Sequence, residues 1–140
     1  MSRFVLDNTV TMAWCFNDEA TPFTETLMNR LSSLNDSAIV PALWLYEVVN
    51  VTELAVRKGR ITVDKVRAFL ESLADLPIEI EDPTRTQMFV SVRALVGQYK
   101  LTAYDASYLE LAIRHKLPIA ALDKALAQAA REAGRRGEMF

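Results

Sequence analysis

Short apolar runs alternate along this chain with stretches of helical spacing, and no other feature limits the possible folds as much. Phe4 to Leu6, Ser37 to Val40, Ile78 to Ile80 and Pro118 to Leu122 read as strands, with Pro41 stopping the second. From Thr21 to Leu34 the apolar residues Phe23, Leu27, Leu31 and Leu34 recur at helical spacing. Leu43 to Lys58 reads as a strong helix closed by Gly59, with Arg57 and Lys58 in its last turn. Thr62 is placed to cap a helix through Val63, Val66, Leu70 and Leu73. Thr84 is placed to cap one running to about Gln98, and Thr102 one ending near His115. Lys124 to Arg136 reads as a last helix. Short strands in alternation with helices predict a three-layer α/β/α fold around a short, mostly parallel central sheet. The two helices between the second and third strands form a helical hairpin that stands off the sheet.

Composition narrows the class. The 140 residues are 51% apolar and 24% charged, which suits one globular domain over residues 1–140 with a real core. No apolar run approaches the length of a membrane span, and Asp7 interrupts the first run before a secretory segment develops. Cys15 is the only cysteine, so there is neither a disulfide framework nor a zinc ligand set. It reads as a small core residue of a cytoplasmic protein. A net charge of −2 gives no general attraction to nucleic acid, so such a substrate needs local basic patches or a metal ion.

Four acids follow or interrupt apolar runs: Asp7, Glu47, Asp105 and Asp123. Sites in open α/β sheets gather at the carboxyl ends of strands, where Asp7 and Asp123 fall. Each also has a local explanation. Asp7 suits a turn or a cap, and Asp123 suits a helix N-cap. Asp105, in Thr102-Ala103-Tyr104-Asp105, resembles the third helical position of a capping box. Glu47 resists such an account. It lies in a helix apolar nearly all round from Ala42 to Val51, where only Asn50 shares its polarity and its face. A carboxylate there needs a partner such as an Arg or a backbone donor. If the four converge they repel one another unless a cation is present, and oxygen-only ligands favour Mg²⁺ or Mn²⁺.

Other chemistries are weak. His115, the only histidine, sits near a helix end and suits the dipole there. A nucleophile–histidine system is therefore improbable, and no Gly-rich phosphate loop is present. Arg57, Lys58 and Arg60, and Arg131, Arg135 and Arg136, read mostly as solvated helix ends, while Lys124 adjoins Asp123 and is within reach of a phosphate. Trp14, Phe16, Trp44 and Tyr46 read as core or interface.

The motifs around these acids resemble a PIN-domain ribonuclease, specifically the VapC-like toxin of a type II toxin–antitoxin pair. The resemblance covers nearly the whole chain. It is carried by Phe4-Val5-Leu6-Asp7-Asn8-Thr9-Val10, by Glu47-Val48-Val49-Asn50, by Leu101 to Ala112 and by Leu117 to Leu126. It implies a Mg²⁺-dependent endoribonuclease, with Mn²⁺ able to substitute, that releases a 3′-hydroxyl. Asp7 and Asp105 would be the main metal ligands. Glu47 and Asp123 would complete the cluster directly or through water, and Thr9 and Asn50 would orient the ligands. Many PIN domains carry a further acid shortly after the fourth. Here Ala125 and Leu126 follow Lys124, which points to one tightly held ion and a second arriving with RNA. The resemblance also implies a homodimer and a cognate antitoxin. The alternative is a catalytically inactive PIN fold that binds RNA or protein. A phosphoacceptor receiver domain ranks below both, because Asp7-Asn8 lacks the paired acids such domains carry after the first strand.

Overall fold

The computed structural model describes residues 2–135. β1 (Ser2–Leu6), β2 (Asp36–Pro41), β3 (Ile78–Glu81) and β4 (Ile119–Ala120) form a four-stranded sheet in the order β3-β2-β1-β4. Every pairing is parallel, with Phe4 opposite Ala38, Val5 opposite Ile119 and Val40 opposite Ile80. β1 and β2 occupy the middle, and their apolar residues from Phe4 to Leu6 and from Ala38 to Val40 are buried on both faces. The three-layer α/β/α expectation holds, and the sheet is parallel throughout the described residues.

A helical hairpin does lie between β2 and β3, but it packs on the core through Trp44, Val48 and Leu73 instead of standing off the sheet. Its two helices are α3 (Leu43–Arg57) and α4 (Val63–Ala74). Their turn needs Gly59, whose φ of +72° is a conformation that costs other residues more. Arg60 pins this turn to the segment after α1 (Asn8–Cys15). Its guanidinium lies 3.8 Å from the centroid of the Phe16 ring and bonds both Asp18 and Glu19 at 2.8 Å. Arg60 is thus engaged within the protein, whereas Arg57 and Lys58 are exposed.

Several expectations need correction. α1 was not foreseen. It starts directly from β1 with Asp7 as its N-cap, and Val10, Thr11, Met12 and Ala13 are all buried. A helix covered on several sides shows no amphipathic period. α2 runs over Pro22–Ser32, so Leu34 lies beyond it and is 61% exposed. The stretch from Thr84 to Gln98 is helical in part as a π-helix (Gln87–Val92), which leads into α5 (Arg93–Tyr99). β4 is limited to Ile119–Ala120, shorter than the predicted run to Leu122, because the chain turns to place Asp123 as the cap of α7 (Lys124–Glu132). Arg136, expected at the end of that helix, lies outside the described residues.

The apolar surround of Glu47 does not mean burial all round. α3 buries one stripe, Trp44, Val48, Thr52 and Ala55, and leaves Leu45, Val49 and Leu54 exposed. Tyr46 is 73% exposed, so it is no core residue, in contrast to Trp44. Trp44 Nε1 donates to Thr11 Oγ1 at 2.9 Å and thereby joins α3 to α1 in the interior. Trp14 Nε1 donates to the Thr24 carbonyl at 2.7 Å, and Cys15 is half-buried against the core. No helix among the described residues is long and apolar enough to cross a membrane.

Candidate metal centre

The carboxyl edge of the sheet gathers the acids. Asp7 follows β1 and is only 4% exposed. Its Oδ2 accepts from the Thr9 hydroxyl at 2.5 Å and from the Thr9 N–H at 3.3 Å. Pairing of β1 with β4 brings the far end of the chain alongside, with Asp7 N–H donating to the Ala120 carbonyl at 3.0 Å. The Leu122 N–H donates to Thr9 Oγ1 at 2.9 Å. Thr9 therefore holds Asp7 with one bond and the loop leading into Asp123 with another. Asp123 is half-buried and caps α7 by accepting from the Leu126 N–H at 2.9 Å. Its expected capping role is real and compatible with a place in the cluster.

α6 (Ala103–His115) supplies Asp105. Thr102 caps this helix by accepting from the Asp105 N–H at 3.1 Å. The reciprocal bond of a full capping box, from Asp105 back to Thr102, is not made, so the half-buried carboxylate is left for other partners. α3 supplies Glu47, also half-buried. Its partner is neither an Arg nor a backbone donor. The Tyr108 hydroxyl, on α6, donates to Glu47 Oε1 at 2.5 Å. Asn50, one turn along α3 from Glu47, is exposed.

Electrostatics tie the four together. Burial pushes the Asp7 carboxyl up to about 7; the Thr9 bonds work against that rise, and the charges of Glu47 and Asp105 add to it. Burial raises Glu47 against the opposing Tyr108 bond, and Asp105 raises it further. Asp105 is raised by burial and by Asp123. Asp7, Glu47 and Asp105 thus each feel the charge of another acid of the set, on top of the larger effect of burial. Tyr108 is raised far above the ordinary phenol range by burial and by Glu47, so it remains a donor.

The donor chemistry fits a hard divalent cation, since every candidate ligand is a carboxylate oxygen and the repulsion among them is what a cation relieves. Among the described residues, no three of His, Cys, Asp and Glu stand close enough to share an ion with side chains as placed.

His115 and the other charges belong elsewhere. His115 Nε2 lies 2.6 Å from Glu81 Oε2, and Arg114 bridges Glu81 and Glu110 at 2.6 and 2.8 Å. Burial pushes Glu81 up, but Arg114 and His115 outweigh it and hold the carboxyl below its ordinary value. This is a structural ion network on the far turn of α6. Lys124 is exposed beside Asp123. Tyr108 is the site residue that sequence reasoning missed. The available signal was a tyrosine three residues after Asp105 in an apolar helix, since a buried phenol needs a polar partner.

No curated protein matches the chain. A family model, that of the PIN domain, matches residues 4–132. PIN domains are generally nucleases that use divalent metal ions, which supports a nuclease kind of reaction for this fold. The match runs from β1 through α7 and takes in all four acids, and the chain belongs to the PIN domain family.

Proposed function

We propose that this protein, as a single domain over residues 1–140, is a Mg²⁺-dependent endoribonuclease that acts in the cytoplasm as the VapC-like toxin of a type II toxin–antitoxin pair. The observation that carries this reading is the burial of Asp7, and the partial burial of Glu47 and Asp105, at one edge of a PIN sheet with no basic partner among the described residues. Each carboxyl is raised first by that burial and then by a neighbouring acid. Such an arrangement is costly to fold unless a cation is part of the working protein.

In this reading Asp7 and Asp105 hold the ion, with Glu47 and Asp123 completing the shell directly or through water. A divalent ion supplies polarisation of the scissile phosphate and activation of water. The chain's own groups do the rest. Thr9 fixes Asp7 Oδ2 and the loop before Asp123, so two ligands keep their spacing. The N-terminus of α6, beside Asp105, carries the positive end of the helix dipole and favours an approaching phosphate. Exposed Lys124 adds positive charge to a protein whose net charge is −2. Asn50 lies at the rim, where it orients ligands once RNA is bound.

The protein partners in this reading are a second copy of the chain and a cognate antitoxin. Support for a protein partner comes from an apolar groove of about 380 Å³ between α3, α4 and β3, walled by Leu45, Val49, Leu70 and Ile80, each of them exposed.

The test is cleavage of total RNA with Mg²⁺ or Mn²⁺ and after chelation, with mapped ends. Asp7→Asn and Asp105→Asn, shown folded by circular dichroism, should each lose cleavage by on the order of 100-fold or more. Undiminished cleavage by both folded variants sinks the site. No cleavage of any structured RNA with Mn²⁺ favours the inactive binding module instead.

A further inference from the structure

Tyr108 is the largest fully buried side chain among the described residues, yet its hydroxyl reaches a carboxylate of the candidate centre. The bond crosses from α6 to α3, between residues 61 apart in sequence. One oxygen atom therefore links the helix that carries Asp105 to the helix that carries Glu47. With its ring packed in the interior, the phenol keeps its O–H near the ring plane, so it imposes a geometry on its acceptor that water would not.

We propose that Tyr108 is a positioning residue for the metal centre, anchoring Glu47 through Oε1 and so fixing the direction in which its carboxylate would be offered to an ion. A glutamate free of such a donor can turn both oxygens toward a cation, or swing away, because three side-chain torsions separate its carboxylate from the helix. With Oε1 held, the carboxylate is anchored and its remaining lone pairs keep a fixed direction. Partners of this kind, behind the ligands themselves, commonly govern metal affinity by 10- to 100-fold.

This inference rests on the metal-centre reading, and the experiment separates the two. Mn²⁺ binding to the full chain without RNA is measured by titration calorimetry for the parent, Asp7→Asn, Tyr108→Phe, Glu47→Gln and the double variant. Tyr108→Phe keeps the ring and should weaken Mn²⁺ binding by about 10-fold. Adding it to Glu47→Gln should cost nothing further, because the hydroxyl acts only through that carboxylate. A general packing defect would instead add its full loss in the double variant. Equal Mn²⁺ affinity for parent and Tyr108→Phe, or fully additive losses, overturns the proposal while Asp7→Asn still abolishes binding. If Asp7→Asn also binds Mn²⁺ like the parent, the metal-centre reading falls and the Tyr108 proposal with it. Should Tyr108→Phe fail to fold, Tyr108→Leu serves as the hydroxyl-free variant in the same cycle.

Discussion

Asp7 leaves water on folding and receives in return only the hydroxyl and amide of Thr9, while two other carboxylates face it. Its folded carboxyl therefore holds a proton up to about pH 7, against 3.8 as a free side chain. Between those values the folded state binds more protons than the unfolded one, so the stability of metal-free protein falls as pH rises through this window and levels off above it. The effect is on the order of a few kcal/mol. Denaturant melts in chelator at pH 4.5 and 7.5 should show the parent weaker at the higher pH and Asp7→Asn with a much smaller difference. An unchanged difference in that variant would assign the slope to other groups. Added Mn²⁺ should restore stability most at pH 7.5, where the carboxylate no longer has a proton to lose.

At the scale of elements, the interior bond between α1 and α3 decides how Glu47 is presented. Thr11→Val removes the acceptor of Trp44 Nε1 and strands a buried N–H, which should cost about 1–3 kcal/mol in a thermal or denaturant melt. The helices legible from sequence were those with local signals: Thr62, Thr102 and Asp123 each accept from the N–H three residues on, as their positions suggested. α1 was illegible because its buried residues lie on several sides, and the π-helical stretch because apolar spacing does not distinguish a widened turn from a regular one. The same division holds within the candidate site. Acids beside strand ends and in an apolar helix could be noticed one at a time. The Tyr108–Glu47 bond could not, since it depends on how α6 lies against α3. Nor could the exposure of Tyr46, since an apolar helix reads alike whether the fold covers one side or all.

For the whole molecule, the sheet order puts β1 between β2 and β4, so the first strand is complete only when a strand from residues 119–120 joins it. A chain ending after Leu117 would lose β4 and the buried Ile119, Leu126, Ala129 and Ala130. It should lose cooperative thermal unfolding and all Mn²⁺ binding, measured by circular dichroism and calorimetry. A cooperative melt in that shortened chain would mean that β1, β2 and their helices suffice. The Thr9–Leu122 bond gives the arrangement a consequence in time, because it spans 113 positions. During synthesis Asp7 emerges well before the loop that fixes Asp123 beside it. A ribosome part-way through the message thus carries a chain whose early acids have no closing partner. The four acids come together only after residues 119–126 have been made, so a shorter nascent chain carries the proposed centre unclosed.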